Sequence, residues 1–201
     1  VEQKKVLITG GAGDIATAAR FLFEKEGYIV HAPSKSELSV DGHPFDIDKY
    51  IANYGSFNIL INAAGYIRPV KFKDGKVLEF KRHFLINTTG AYNCIYSVIS
   101  ANPSAIIINI GSSAGTNPRK EWTGYCASKA ALISMTACLA DEGYKIVCVS
   151  PGRTNTKMRR RLVGQEDAST LLSPLEVGQK IFDIATGVEQ VKWGDNIQMK
   201  K

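Results

Sequence analysis

Tyr125-Cys-Ala-Ser-Lys129 sets a phenol and an ammonium at positions i and i+4, which puts both on one face wherever the segment is helical. A tyrosine ordinarily titrates near ~10, and a neighbouring lysine cation favours the phenolate, bringing the group toward use as a general acid or base. Alone, that spacing is a common feature of helix surfaces. Thirteen residues before Tyr125, however, Ile108-Asn-Ile-Gly-Ser-Ser-Ala-Gly115 reads as the end of an apolar strand. There Ser112 can donate a hydrogen bond to an oxygen that gains charge. Ser113 is the adjacent alternative, and the spacing to Tyr125 favours Ser112.

A second cluster lies near the start. Val6-Leu-Ile-Thr-Gly-Gly-Ala-Gly-Asp-Ile-Ala16 reads as a strand, a glycine turn and a helix start. Gly10 and Gly13 would let backbone N–H groups approach a pyrophosphate at the helix N-terminus, while Ala16 packs closely on the strand. A dinucleotide site further calls for an acid ~20 residues on, to bind the ribose 2′-OH of NAD. Ala32-Pro-Ser-Lys-Ser36 contains none. Lys35, between Ser34 and Ser36, suits a 2′-phosphate by charge and hydrogen bonding, so NADP(H) is favoured and NAD(H) is the alternative.

The elements that must position these residues alternate in type. Strand candidates are Lys5–Thr9, Ile29–Ala32, Glu37–Val40, Ile59–Asn62, Ala105–Ile110 and Lys145–Ser150, with a faint last one at Asn196–Lys200. Most are apolar on both faces, as in the middle of a parallel sheet covered by helices. Helix candidates are Ile15–Glu26, Phe45–Tyr54, Val77–Ser100, Tyr125–Glu142 and Pro174–Thr186, the last opened by the capping box Ser173-Pro-Leu-Glu176. The fold expected is α/β: a single Rossmann-type, doubly wound parallel sheet with helices on both faces. It is shortened between strands 2 and 3, where too little chain is left for a crossover helix. Residues 66–75 and 153–172 read as irregular segments after strand ends, the second as a cover over the substrate.

Length and composition bound the rest. At 201 residues, 44% hydrophobic and 22% charged, one globular domain over 1–201 is expected, and disorder, collagen and coiled coil are excluded. No run reaches the ~18 apolar residues of a membrane span, and Val6–Ile8 is too short for a signal-peptide core, so a cytoplasmic protein with no membrane partner is expected. The numbering opens at Val1, which suits a piece of a longer chain. Lys and Arg exceed Asp and Glu by 25 − 19 = 6. That excess suits an anionic ligand; the basic run lacks the interleaved aromatics of a nucleic-acid surface, and no nucleic acid is expected. Cys94, Cys126, Cys138 and Cys148 form no CxxC pair and are expected as reduced core thiols, with no metal site.

Taken together, Thr9-Gly10, Asn62-Ala-Ala-Gly65, Asn87, Ser112, Tyr125 with Lys129, and Pro151-Gly152 followed by Thr156 resemble a short-chain dehydrogenase/reductase along nearly the whole chain. The resemblance implies a tetrad: Tyr125 donating a proton to a carbonyl, Lys129 binding the nicotinamide ribose and tuning the tyrosine, Ser112 orienting the carbonyl, and Asn87 holding a relay water. It also implies cofactor contacts at Thr9, Gly10, Gly13, Asp14 and Ile15, and at Asn62, Ala63, Ala64 and Gly65. Pro151, Gly152, Thr154 and Thr156 follow, with Thr156 on the carboxamide. Asp41, after the third strand, would touch the adenine. Family members assemble through two long helices, which implies a homodimer or homotetramer.

The chain also departs from the family pattern. Asp14 and Ala16 replace glycines of the usual turn, and an acid beside a pyrophosphate must point away or weaken binding. Arg153, Lys157, Arg159, Arg160 and Arg161 put five cations within nine positions, with Arg153 and Arg159 the candidates to bind an anionic substrate. The alternative is a solvated basic face. Arg153-Thr-Asn-Thr-Lys-Met-Arg159 with Thr170-Leu-Leu172 resembles reductase domains found beside cytidylyltransferases in CDP-ribitol synthesis, which implies ribulose 5-phosphate as substrate and a fused or partner cytidylyltransferase. The leading expectation is an NADP-dependent carbonyl reductase or alcohol dehydrogenase. A sugar-nucleotide epimerase or dehydratase of the same fold, and a non-catalytic NADP-binding regulator, are the alternatives.

Overall fold

A computed structural model describes residues 3–42 and 44–201. Six strands, β1 (Lys5–Thr9), β2 (Ile29–His31), β3 (Ile59–Asn62), β4 (Ile106–Ile110), β5 (Ile146–Pro151) and β6 (Asn196–Met199), form one parallel sheet in the order β2-β1-β3-β4-β5-β6. The helices are α1 (Asp14–Lys25), α2 (Pro44–Tyr54), α3 (Val77–Phe84), α4 (Gly90–Ala101), α5 (Thr123–Asp141), α6 (Lys157–Val163) and α7 (Pro174–Thr186). Strand alternation divides the apolar residues between the two faces. Val6, Ile8, Ile61, Val147 and Val149 pack with Ala19 and Phe23 of α1 and Val177 and Ile181 of α7. Leu7, Leu60, Ile107 and Ile146 pack with Ile47 and Ile51 of α2 and Ile95 and Val98 of α4. With helices on both faces, every strand's carboxyl end opens on the same rim.

The faint last strand forms, in register with β5, and Ser173 closes its capping box with Glu176. Glu37–Val40 is a correction, because it is not a strand. Only Ala32–Ser36 separates it from β2, far less than the dozen residues of a parallel crossover. The chain turns instead, Glu37 and Leu38 each donating a backbone N–H to Ser34 O at 3.1 and 3.0 Å. Leu38 and Val40 are buried all the same, in the cluster beneath α2 and α4. Their alternation therefore reflects burial of a turn, and β2 becomes an edge strand.

The expected helix Val77–Ser100 is likewise divided. α3 and α4 are joined by a π turn at Leu85–Thr89 that contains Asn87, a local widening often found at functional sites. Cys138 is exposed, while Cys94, Cys126 and Cys148 are buried. Among the described residues no helix is long and apolar enough to cross a membrane.

Phe23 is fully buried between Tyr28 and Phe182, with ring centroids 5.2 and 5.0 Å away. Phe23→Ala removes the contact that clamps α1 to α7, and urea unfolding should show a loss of about 3–5 kcal/mol at unchanged m value.

Candidate active site

The glycine turn is built by close approach. Gly10 has φ +68°, and a Cβ there would stand 2.8 Å from Ala64 Cα; one on Gly11 would stand 2.0 Å from Ala32 O. Glycine is required on both counts. Thr9 Oγ1 accepts the Ala64 N–H at 3.2 Å, fixing the segment after β3 against the turn. Gly13 is the N-cap of α1 and offers no side-chain cap, so the first-turn N–H groups, including that of Ile15, are left without a cap acceptor. Asp14 answers the concern raised by its charge. Its Oδ2 accepts the Lys157 N–H at 2.5 Å at the start of α6, and Oδ1 lies 3.8 Å from Lys157 Nζ, so the carboxylate is turned toward residues 153–172.

β4, α5 and the π turn bring the tetrad residues together. Tyr125 stands in the first turn of α5, its ring centroid 6.0 Å from Lys129 Nζ. Burial pushes the Tyr125 phenol up, while Ser112 and Arg119 pull the other way. Lys129 is 4% exposed. Desolvation lowers its ammonium to about 8, with Cys148 opposing the shift. Its Nζ donates to Ile110 O at 2.6 Å. An ammonium carries three protons, and this is the one protein acceptor found for it among the described residues. Ser112 Oγ accepts the Ala114 N–H at 3.1 Å, leaving its hydroxyl proton to donate.

Asn87 clamps the backbone of Tyr66. Its Oδ1 accepts Tyr66 N–H at 2.7 Å and its Nδ2 donates to Tyr66 O at 2.9 Å. The second Nδ2 proton goes to Ser128 Oγ at 2.9 Å, and Ser128 Oγ donates to Tyr125 O at 2.8 Å. One Asn87 oxygen lone pair is left for the water that its expected role requires. Ser128, within the Tyr125–Lys129 motif, was given no role from sequence, although its i+3 spacing from Tyr125 could have suggested one.

His83 is a further residue that sequence reasoning missed; a lone histidine in a helix carries no signal of its partners. It is buried. Nε2 accepts the Arg68 N–H at 3.1 Å and Nδ1 pairs with Glu79 O at 2.8 Å, so the neutral ring carries its proton on Nδ1. A Cβ on Gly124, next to Tyr125, would stand 2.7 Å from that ring. Tyr66 stacks on it at 5.0 Å and donates to Glu79 Oε2 at 2.7 Å. Glu121, at φ +68°, accepts the Val70 N–H at 2.8 Å. The segment after β3 is thereby tied to the start of α5, and a cleft of about 280 Å³ lies between them.

Other expected contacts are redistributed. Asn62 is buried and donates from Nδ2 to Asn109 Oδ1 at 2.9 Å, so its side chain faces inward and only its backbone reaches the rim with Ala63 and Gly65. Gly152 N–H pairs with Met199 O at 2.9 Å beyond Pro151, and Thr154 bridges to Leu172. Thr156 caps α6, accepting the Arg159 N–H at 3.1 Å. The basic run is largely paired within the chain. Arg159 grips Glu166 in two-point fashion at 2.5 and 2.9 Å, and Arg160 donates to Asn155 Oδ1 at 2.6 Å. Arg153 is half exposed, 3.8 Å from Glu166. Asp41, placed in a turn and not at a strand end, holds Lys35 at 2.9 Å.

Burial lowers the His83 pKa, with Glu79 opposing, and lowers that of His31. Below an unfolded value near ~6.5 the unfolded chain then binds more protons, so stability falls as pH drops from neutral toward the lowered folded values. His83→Gln should flatten that fall in pH-dependent urea unfolding, leaving the share due to His31. Asp14→Asn should speed amide exchange in α6 while leaving α5 unchanged.

The family model for short chain dehydrogenases matches residues 46–167. A 2,3-dihydro-2,3-dihydroxybenzoate dehydrogenase of Bacillus subtilis (strain 168) is 33% identical over 200 residues, covering 84% of this chain and 77% of its own. The 3-oxoacyl-(acyl-carrier-protein) reductase FabG of Thermotoga maritima is 28% identical, covering 89% and 85%. Among solved structures, ElxO with NADP bound superposes with TM-score 0.86 at 23% identity over 98% of this chain and 97% of that one. The ligand-free aldohexose dehydrogenase of Thermoplasma acidophilum gives 0.87 at 22% over 98% and 92%. The two structures agree in fold, the relatives in sequence as well, and the chain belongs to the short-chain dehydrogenase family.

Proposed function

We propose that this chain is an NADP(H)-dependent carbonyl reductase or alcohol dehydrogenase acting on a small substrate, with Ser112, Tyr125, Lys129 and Asn87 as its machinery. The observation that carries this reading is the buried Lys129 ammonium, with one acceptor found for it among the described residues, on the helix that bears Tyr125 beside Ser112. A buried cation with two protons unspent is costly unless a ligand accepts them. The vicinal hydroxyls of a nicotinamide ribose have the right chemistry. The uncapped turn at Gly10, Gly13 and Ile15 suits a pyrophosphate, and Ser34 with Lys35 suits a 2′-phosphate. When bound, the nicotinamide supplies or accepts hydride.

In the reductive direction the chain's own residues manage the proton. Ser112 donates a hydrogen bond to the carbonyl oxygen and holds it near Tyr125. Tyr125, whose phenol burial keeps protonated at neutral pH, gives its proton to the oxygen as negative charge develops there. The Lys129 ammonium stabilises the phenolate left behind. Asn87 fixes the segment after β3 relative to α5, so that the reacting groups do not drift. Residues 153–172 cover the substrate, and Arg153, with its looser contacts, is better placed than the engaged Arg159 to meet an anionic group such as the phosphate of ribulose 5-phosphate. Exposed apolar residues on α3 and α4, Val77, Leu78 and Tyr96 among them, support assembly as a homodimer or homotetramer.

Two measurements test the reading. Fluorescence titration should give tighter binding of NADPH than of NADH, with Lys35→Ala weakening NADPH. Tyr125→Phe should lower the turnover of small ketones and ribulose 5-phosphate by about 10²–10⁴-fold while leaving NADPH affinity nearly unchanged; turnover retained by Tyr125→Phe overturns the proton-donor role.

A further inference from the structure

The first turn of α5 carries Tyr125 but does not fix its own place. Its N-cap, Trp122, makes no side-chain cap hydrogen bond, and a helix end left so depends on contacts from outside the helix. One such contact is a backbone tie. Val70 donates its N–H to Glu121 O at 2.8 Å, and Glu121 sits at φ +68°, a conformation that a residue with a Cβ keeps only where its surroundings hold it. The other is packing of Gly124 against the His83 ring of α3. A Cβ on Gly124 would stand 2.7, 3.2 and 3.4 Å from Nδ1, Cγ and Cε1 of His83.

The ring has no freedom to give way. His83 is 2% exposed. Its Nε2 accepts the Arg68 N–H at 3.1 Å, its Nδ1 N–H donates to Glu79 O at 2.8 Å, and Tyr66 packs on it with ring centroids 5.0 Å apart. Tyr66 is in turn clamped through its backbone by Asn87. The imidazole is therefore fixed relative to the π turn and the segment after β3, and the α5 backbone rests on it one residue before Tyr125. Gly124 lies within α5 and outside the positive-φ region, so its backbone does not call for glycine, and alanine is the better helix former. Outside its own helix, the three nearest atoms that a Cβ would meet all belong to His83. The missing side chain at 124 is matched to the ring at 83.

We propose that His83 is a positioning residue for Tyr125, acting through a size-matched joint with Gly124 that sets where the first turn of α5 lies. The assignment rests on the reading of Tyr125 as proton donor given above. A methyl group at position 124 pushes the turn off a ring that cannot retreat. Proton transfer needs the phenol within hydrogen-bond reach of the substrate oxygen, so a small displacement there costs rate. Lys129, a turn deeper in the helix, keeps its bond to Ile110 O.

The test compares wild type, Gly124→Ala, His83→Ala and the double variant in two ways. One is steady-state reduction, with NADPH, of the small ketone that the wild type turns over fastest; the other is NMR of the Tyr125 Cζ carbon in tyrosine-labelled protein, assigned with Tyr125→Phe. Gly124→Ala should lower kcat about 10- to 100-fold with the KM for NADPH unchanged. It should also shift the Tyr125 resonance and leave that of Tyr28, packed on Phe23, in place. A gain in helix propensity by itself would do neither. With the ring removed the methyl has room, so the double variant should match His83→Ala within about twofold in kcat, and in the resonance as well. Wild-type kcat and resonance in Gly124→Ala overturn the joint, and decide the matter even where His83→Ala does not fold. The same fall on adding Gly124→Ala to His83→Ala also overturns it. A wild type that reduces no ketone, with the resonances coupled as expected, overturns the reductase reading and leaves the joint standing.

Discussion

A cation inside the molecule governs the arrangement of the rim. Lys129 is charged, nearly inaccessible, and among the described residues has one acceptor, the Ile110 carbonyl at the end of β4. Such a group is tolerated only where its position is over-determined by its surroundings. Those surroundings are the parallel strands. β4 presents Ile110 O, α5 carries Lys129 and Tyr125 on one face, and the π turn seats Asn87 against Ser128 so that α5 cannot rotate away. The same burial that lowers the lysine raises the phenol. Two shifted groups stand side by side as a result, each moved chiefly by its restricted access to water.

Electrostatics elsewhere on the rim follow a different pattern. Several cationic groups there already have an internal counter-charge or acceptor: Asp14 for the start of α6, Glu166 for Arg159, Asp41 for Lys35. The Asp14–Lys157 contact links segments 143 residues apart in sequence, while the other two are local. They also mean that a local run of cations is a poor guide to where an anion binds, because some of those cations are already paired within the chain.

The parts of this molecule legible in its sequence are those in which function depends on local spacing. The glycine turn, the Tyr125–Lys129 pair, Ser112 at a strand end and the capping box at Ser173 are each contained in a few consecutive residues, and each is found in place. The parallel sheet covered by helices followed from apolar runs. Reading failed where tertiary packing overrode a local pattern. Leu38 and Val40 alternate like a strand because both are buried beneath α2 and α4, not because they pair. The 77–100 segment has uninterrupted helical character, and only its packing against α5 shows the π turn. His83 and Glu166 act through partners whose identity depends on the folded chain, so their types alone carried no information.

The loss of the outer strand leaves its mark on the sheet's margin. β2 pairs on one side with β1 and, among the described residues, has no neighbour on the other, which in a longer strand would present a template for a foreign chain. Here the exposed edge is three residues long, ends before Pro33 and is flanked by His31 packed against Tyr54 and Phe57 at 4.6 and 5.2 Å. Brevity, a proline stop and an aromatic flank together deny an incoming β-segment the run of amides it would need. Shortness thus guards the open edge of this sheet against aggregation.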